Sequence, residues 1–511
     1  MSGPFRLPGD LAIPARTGSF IAGRPHVGPG PELPVVYPAT GEVVSVLVEA
    51  GAEEVDAAVA AARAAFQRGP WPRMTVAARQ EVLLAIHDAI RAESETLALL
   101  ECVNTGLPLR ELRARHLPRA AGSFRFFAEY IGQTHSRAVQ QSAGYVSYVM
   151  REPVGVAALL APWNAPLALA SMKIAAAIAF GNCCVLKPSE QTPLALHRLM
   201  EILHAAGLPE GVVNLVNGRG AVTGQALVAH PDIDLISFTG GTETGRQIMA
   251  AAGRNLVPCT MELGGKSANI IFTSADQERA LDGALLGIYS NNGQQCLAGS
   301  RILLEESIAD SFIERFIERS RAIRVGDPLD PATEIGPLAS RAHMARVLSH
   351  AAPERLGGGR ILTGGAARAD LAPGFFIEPT AALAGSNAAP VAQEEIFGPF
   401  ATFLTFRSAE EAFAIANDSR YGLVAHLWTD HHPTVMAATA ALRAGVVWVN
   451  TPMMRELRLP FGGFRDSGVG REGGYSCEAF YTEEKTVTLP LAPPPLRRLG
   501  AQPPARGGET T

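Results

Sequence analysis

The chain has 511 residues and carries 44 lysines and arginines against 49 aspartates and glutamates, a formal net charge of −5. At about 150 residues per domain, this length predicts two or three domains, with a core that needs no disulfide or metal. The mild acidity argues against a nucleic-acid partner, because neutralising phosphates needs a basic surface. The 47% share of hydrophobic residues excludes a disordered chain.

The six cysteines are sparse, and none belongs to a Cys-x-x-Cys pair. No His-Glu-x-x-His motif occurs either, so we expect no bound metal. This cysteine usage indicates a reducing, cytoplasmic location, and residues 1–40 lack the charged and apolar regions of a signal peptide. The apolar stretch from Val154 to Met172 contains Pro162 and Pro166, which favours a strand, turn and helix over a membrane span.

Apolar residues at helical spacing predict amphipathic helices over residues 52–67 and 75–102, and a strand is expected at Tyr145–Met150. From Val154 onward, short apolar strands alternate with helices, which predicts βαβ units and a parallel sheet. The expected strands are Val154–Leu160, Cys183–Leu186, Val212–Val216, Asp234–Phe238 and Asn269–Phe272. The expected helices are 165–180, 193–206 and 243–252.

A second α/β stretch is expected from Asp276 to Asn450. Its strands lie near Ala401–Phe406, Ala425–Thr429 and Val446–Asn450. Residues 490–511 hold six prolines and no periodic apolar pattern, so we expect a disordered tail.

Lysine is scarce. The chain has four lysines, at positions 173, 187, 266 and 485, beside 40 arginines. Chance is one explanation. The other is that these positions require a compact ammonium group, because a planar guanidinium is not equivalent to it.

The best phosphate-binding candidate is the run Phe238–Gly245, which closes a predicted strand and opens a helix. Backbone N–H groups and the positive helix end would face this turn, and Gly240 and Gly241 would let a pyrophosphate approach. The alternative is a glycine-rich helix cap with no ligand.

Lys187 and Glu190 follow another predicted strand at the sheet edge where ligands bind in open α/β folds. Together they are suited to the two hydroxyls of a ribose. A glutamate there would repel a 2′-phosphate and favour NAD over NADP. The alternative is a solvated salt bridge.

Cys296 lies in a polar turn after a helical segment, and Glu262 follows an apolar strand 34 residues upstream. A thiolate nucleophile needs exposure and nearby donors, while a partly buried carboxylate with a raised pKa suits a general base. The alternatives are a buried structural cysteine and a glutamate at a surface strand end. Asn164, past another strand end, is a candidate oxyanion donor or, alternatively, a helix N-cap.

Taken in order, seven runs of the sequence resemble the aldehyde dehydrogenase superfamily over roughly residues 30–490. The runs are Ala161–Pro166, Leu186–Glu190, Phe238–Gly245, Met261–Lys266, Gly293–Cys296, Glu394–Pro399 and Pro460–Gly463. Each run alone is weak evidence, whereas seven in one order are strong.

The resemblance implies that Cys296 attacks the aldehyde, that Asn164 and the Cys296 backbone N–H hold the oxyanion, and that Glu262 activates the hydrolytic water. NAD would be the cofactor. The residues expected to bind it are Trp163, Lys187, Glu190, Gly240, Gly241, Glu395 and Phe397. Lys173 would be structural or near the catalytic network.

The implied fold is α/β, with a Rossmann-type cofactor domain, an α/β catalytic domain and a small β hairpin for oligomerisation. The cofactor domain would cover residues 1–133 and 153–264, and the catalytic domain 265–478. The oligomerisation segments would be 134–152 and 479–490, followed by the disordered tail 491–511. A homo-oligomer, dimer or tetramer, is therefore expected.

Two segments, Leu117–Ala120 and Trp448–Arg458, are similar to the branch that oxidises muconate-type semialdehydes from aromatic ring cleavage. In that branch one arginine from each segment is expected to bind the substrate carboxylate, and Arg119 and Arg455 are the matching positions. With 40 arginines in the chain, ordinary salt bridges are the alternative for both. A general aldehyde dehydrogenase, a CoA-acylating enzyme and a catalytically silent relative are the competing functions.

Overall fold

The structure is a computed structural model that describes residues 7–8, 11–141, 144–494, 496 and 499–500. Most of the predicted tail, residues 495, 497–498 and 501–511, lies outside the described residues. Within the described part of the chain, every helix is too short or too polar to cross a membrane.

The strands form four sheets. In chain order they are β1 Arg16–Thr17, β2 Ser19–Ile21, β3 Arg24–His26, β4 Glu32–Tyr37, β5 Glu42–Val48, β6 Ala138–Gln141, β7 Tyr145–Pro153, β8 Val156–Leu160, β9 Cys183–Lys187, β10 Val213–Leu215, β11 Leu235–Thr239, β12 Cys259–Glu262, β13 Ala268–Ile271, β14 Arg301–Glu305, β15 Arg360–Thr363, β16 Thr380–Leu383, β17 Phe400–Phe406, β18 Val424–Trp428, β19 Val446–Val449, β20 Gly468–Val469 and β21 Thr482–Pro490. All nine strands expected from the sequence are present, with ends shifted by at most three residues.

The helices connect and cover these sheets. They are α1 Ala52–Arg68, α2 Val76–Ala92, α3 Ser94–Thr105, α4 Leu109–Glu111, α5 Leu117–Ile131, α6 Pro166–Ala179, α7 Leu194–Ala205, α8 Gln225–Ala229, α9 Thr242–Arg254, α10 Gln277–Tyr289, α11 Ala309–Ala322, α12 Arg341–Ser349, α13 Pro390–Gln393, α14 Ala409–Asn417, α15 His432–Ala441 and α16 Gly474–Tyr481. The periodic stretch 75–102 is two helices that meet at Glu93, with no glycine or proline marking the break. A π-helical turn, Leu112–His116, lies between α4 and α5.

The first large sheet has eight strands in the order β20-β12-β11-β8-β9-β10-β2-β3. Strands β12, β11, β8, β9 and β10 run parallel, so their carboxyl ends meet at one edge. There Leu160 pairs with Lys187, and Thr239 pairs with Glu262. This is the edge at which open α/β sheets bind ligands.

The second large sheet has seven strands in the order β15-β16-β17-β14-β13-β18-β19, all parallel except β15. Successive residues of β13 pack into different cores, since Ile270 lies in one apolar cluster and Ile271 in another. A sheet with both faces covered requires such continuous apolar strands. Cys296 lies in the connection between α10 and β14 of this unit.

A separate antiparallel sheet has the order β21-β7-β6, in which β7 and β21 pair along their whole lengths. It contains the segments predicted for oligomerisation. That role, like the predicted domain boundaries, stays a prediction.

Candidate active site

A cavity of about 390 Å³ opens at the carboxyl edge of the eight-stranded sheet and is closed on its other side by the connection that carries Cys296. Eight of the residues predicted for the site line it: Trp163, Asn164, Gly240, Gly241, Glu262, Cys296, Glu395 and Phe397. Residues that are far apart in the chain, from Trp163 to Phe397, therefore line one cavity, as the residues of an active site do.

Cys296 is half-buried and faces this cavity, whereas Cys102, Cys183, Cys184 and Cys477 are fully buried. Burial, with the nearby carboxyls of Glu395 and Glu262, raises the pKa of the Cys296 thiol to about 12. The thiol is therefore protonated at neutral pH and must give up its proton before it reacts.

Glu262 is the last residue of β12 and is only 6% exposed, so the interpretation as a surface strand end is wrong. Neither carboxyl oxygen has a hydrogen-bond partner among the described residues. Burial and the neighbouring Glu472 raise the pKa of the carboxyl well above its usual range. Gly462 packs against it so closely that an added Cβ would lie 2.7 Å from Oε1.

Asn164 lies just before α6 but does not cap it, because the N-cap residue is Ala165 and the Leu167 N–H donates to the Glu101 carboxylate at 3.1 Å instead. The alternative of an N-cap is therefore wrong. The Asn164 Nδ2 donates a hydrogen bond of 2.9 Å to the Gln294 carbonyl, two residues before Cys296. An amide nitrogen carries two N–H groups, so a second donor remains for the cavity.

The turn between β11 and α9 has the geometry of an anion site. Gly241 is the N-cap of α9, which begins at Thr242, and no side chain satisfies the first N–H groups of the helix. Open space surrounds the position of an added Cβ at Gly241, while at Gly240 it would lie 2.4 Å from the Phe238 ring. The first turn of α9 is therefore accessible to a phosphate.

Lys187 is buried, and its Nζ lies 3.8 Å from the Glu190 carboxylate. Burial lowers the pKa of the lysine, which makes the solvated salt bridge a poor description of this pair. Neither residue lines the cavity; the neighbouring Gln191 does.

Glu395 and Phe397 form the opposite wall. The Glu395 carboxylate accepts a 2.9 Å hydrogen bond from the Gly265 N–H, and burial raises the pKa of this carboxyl. Phe397 has a left-handed backbone, with φ of 63°, and its ring contacts Trp163 edge-on at 5.3 Å.

The two predicted substrate arginines act on each other electrostatically, although neither lines the cavity. Burial and the charge of Arg455 lower the pKa of Arg119 to about 9. The Arg119 guanidinium has no hydrogen-bond or ion-pair partner in the described part of the chain. Arg455 lies over the Phe461 ring at 4.4 Å and is 3.4 Å from Glu472.

Glu472 was not predicted as a site residue, yet it joins several of these groups. Its carboxylate accepts a 2.9 Å hydrogen bond from Lys173, which also donates to Ser237 at 2.8 Å. Burial alone would raise the pKa of Glu472, but the charges of Lys173 and Arg455 hold it at about 2. Lys173 therefore lies beside the site, as expected.

The model of the aldehyde dehydrogenase family matches residues 27–487. The chain belongs to this family. It is an NAD-dependent oxidoreductase, and it has the aldehyde dehydrogenase fold.

Named relatives of this aldehyde dehydrogenase differ in substrate. The 2-hydroxymuconic semialdehyde dehydrogenase of Pseudomonas sp. (strain CF600) is 40% identical over 89% of the chain and 95% of its own length. A betaine aldehyde dehydrogenase of Cereibacter sphaeroides (strain ATCC 17029 / ATH 2.4.9) is also 40% identical, over 93% and 97%. The structure of a Bacillus cereus aldehyde dehydrogenase in complex with NAD+ superposes with a TM-score of 0.91 at 37% identity, covering 93% of this chain and 97% of that one.

The aldehyde dehydrogenase cavity also contains two residues that the sequence did not reveal, His343 and Arg346 of α12. His343 packs against Trp163 at 5.0 Å, and its Nε2 donates a 2.7 Å hydrogen bond to the Phe397 carbonyl. Burial lowers the pKa of His343 to about 4, so the ring is neutral. Arg346 donates to the Glu395 carbonyl at 3.1 Å. Only Ser340, the N-cap of α12, gave a local signal in the sequence.

Proposed function

We propose that this enzyme oxidises a carboxylated semialdehyde of the muconate type to its carboxylic acid, with Cys296 as nucleophile and Glu262 as base. One observation supports the substrate class above the others. Two guanidinium groups, Arg119 and Arg455, act on Cys296 electrostatically, and Arg119 has no ion-pair partner among the described residues, although the charge of Glu472 also acts on it. A carboxylate on the substrate supplies that partner.

In the first step the Cys296 sulfur bonds to the aldehyde carbon, and the thiol proton is released to solvent through the open side of the cavity. The developing oxyanion accepts hydrogen bonds from the free N–H of the Asn164 amide and from the Cys296 backbone N–H. The latter has no acceptor in the described residues.

NAD, when bound, accepts the hydride that leaves the substrate carbon. Gly240 and Gly241 hold its pyrophosphate at the start of α9, and Lys187 with Glu190 binds the adenosine ribose. Trp163, Glu395 and Phe397 fix the nicotinamide end. The unsatisfied N–H groups of α9 and the space at Gly241 support this arrangement.

In the last step water attacks the thioester, and Glu262 takes a proton from that water as the C–S bond breaks. The acid leaves, and the Cys296 thiolate takes that proton from Glu262. The two unpartnered oxygens of Glu262 support this role, because a carboxylate already engaged by an arginine or lysine is a weaker base. The presence of this base also disfavours the CoA-acylating and catalytically silent alternatives.

The test is a substrate panel in which NADH and free acid are both measured. The enzyme should prefer 2-hydroxymuconate semialdehyde, which carries a carboxylate, to an uncharged aldehyde of similar size. A preference for the uncharged aldehyde would rule out the substrate class but not the chemistry. Acyl-CoA formed in place of free acid, when CoA is added, would rule out the hydrolytic step.

A general aldehyde dehydrogenase is the second candidate. The contact between Arg455 and Glu472 favours it, because this arginine already has an anionic neighbour within the protein. In that case replacing Arg455 changes the KM of charged and uncharged aldehydes alike.

We also propose that the enzyme works in the cytoplasm as a homo-oligomer. Residues 138–140 of the short edge strand β6 in the three-stranded sheet are exposed, which suits pairing with a second copy. Sedimentation velocity of the purified protein tests this, since a monomer would contradict it.

A further inference from the structure

The segment before Cys296 has an unusual backbone. Asn291 and Asn292 both adopt left-handed conformations, with φ of 57° and 54°, and both are at most 5% exposed. Residues other than glycine rarely adopt this backbone conformation, although asparagine tolerates it better than most. Two such residues in succession persist only where the surrounding contacts fix them.

The Asn291 side chain supplies such contacts. Its Nδ2 donates to the Asn164 carbonyl at 3.0 Å and to the Gln294 carbonyl at 2.9 Å. The same Gln294 carbonyl accepts from Asn164 Nδ2 at 2.9 Å. One amide therefore joins the turn that carries Asn164 to the segment that carries Cys296.

The Asn291 main chain adds a third connection. Its N–H donates to the Glu111 carboxylate, at 3.0 Å from Oε2. Glu111 ends the short helix α4, and the π-helical turn that follows connects α4 to α5, the helix that carries Arg119. The segments with Asn164, Cys296 and Arg119 therefore all converge on one buried residue.

We propose that Asn291 is a positioning residue that fixes Asn164 relative to the Cys296 sulfur. The inference rests on the proposed role of Asn164 as an oxyanion donor. Without the Asn291 amide, the Asn164 carbonyl loses this donor and the Gln294 carbonyl keeps only Asn164 Nδ2, and lost hydrogen bonds to buried carbonyls are costly. The two segments then separate or rotate. Displacements of about 1 Å in a reactive geometry lower rates about 100-fold.

Asn292 provides a matched control. It has the same backbone conformation and is fully buried. Its amide donates to the Gly106 and Pro337 carbonyls at 3.0 and 2.9 Å and accepts from the Gly336 N–H at 2.8 Å. None of these contacts reaches Asn164.

The experiment is a double-mutant cycle. Asn291→Gly and Asn292→Gly, which preserve positive φ, are each made alone and with Asn164→Ala, and Asn291→Asp serves as a second variant that keeps side-chain size. The first-turnover rate of NADH formation, the KM for NAD and the thermal midpoint are measured. Asn291→Gly should lower the first-turnover rate on the order of 10- to 100-fold with the KM for NAD unchanged.

In the Asn164→Ala background, Asn291→Gly should cost little more, whereas the effect of Asn292→Gly should multiply with that of Asn164→Ala. Independent, multiplying effects of Asn291 and Asn164 would overturn the inference while leaving the proposed function intact. A full first-turnover rate for Asn164→Ala alone would overturn both. If Asn291→Gly does not fold, the same comparison with Asn291→Asp decides.

Discussion

Two buried carboxyl groups, one at the end of β12 and the other in the segment before α16, have opposite surroundings. Glu262 has no hydrogen-bond partner in the described residues, and burial raises its pKa. Glu472 contacts Lys173 and Arg455, and these charges outweigh burial and hold its pKa at about 2. The pair shows how neighbouring groups of one chemical type acquire different charges, so that one exchanges protons and the other stays an anion.

The largest effect is expected when the nucleophile, on which the Glu262 carboxyl acts, is removed. Cys296→Ala should lower turnover on the order of 10⁴- to 10⁶-fold, the scale on which losing a nucleophile acts. Its NAD affinity, measured by fluorescence titration, should change little, because the sulfur is one atom of a large cavity. The control is Cys259→Ala, which does not line the cavity and should turn over normally. Comparable losses in both variants would remove Cys296 from the mechanism.

Glu262→Gln, which replaces the unpartnered carboxyl by an amide, should lower the steady-state rate about 10²- to 10⁴-fold. This is the rate loss expected when a general base is removed. Because the folded pKa of Glu262 is raised, its basic form gains population as pH rises, so the wild-type steady-state rate should rise with pH through that pKa. The variant lacks the group, and this rise should be absent. An equally steep rise in the variant would assign the base elsewhere.

The same two carboxyls should differ in stability when each becomes an amide. Glu472→Gln leaves Lys173 and Arg455 buried without their anion, which should cost about 3–5 kcal/mol in urea unfolding at pH 7. Glu262→Gln removes a buried, unpaired carboxyl and should be neutral or stabilising. The lowered pKa of Glu472 means that its stabilisation is complete above pH 4.5 and is lost as pH falls towards 2. Equal destabilisation by both variants at pH 7 would contradict the comparison.

The smallest effect concerns the arginines beside Glu472. Arg455→Met should raise the KM of a carboxylated semialdehyde about 10- to 100-fold, because losing one or two charged hydrogen bonds weakens binding by about this factor. The KM of an uncharged aldehyde should stay nearly unchanged. Arg458→Met is the matched control, since Arg458 lies in the same loop, is exposed and pairs with Glu456. A rise in KM for both aldehydes would favour the general aldehyde dehydrogenase.

The sequence predicted the parallel strands and the residues at their carboxyl ends, because local apolar patterns and the family motifs mark both. It did not predict Glu472, whose partner Lys173 lies 299 positions away, nor the contact of His343 with Trp163. Such contacts depend on how the two large sheets face each other, and no local pattern encodes that. The break at Glu93 within 75–102 was also missed, because apolar periodicity continues across it.

The central claim is that the substrate becomes bonded to Cys296 and is released by Glu262. Rapid mixing of Glu262→Gln with NAD and aldehyde, followed by mass analysis of the quenched protein, tests it most directly. The account predicts a burst of one NADH per subunit, little turnover afterwards, and an added acyl mass on the peptide containing Cys296. NADH formation with no mass added to that peptide, or continued turnover at the wild-type rate, would contradict it.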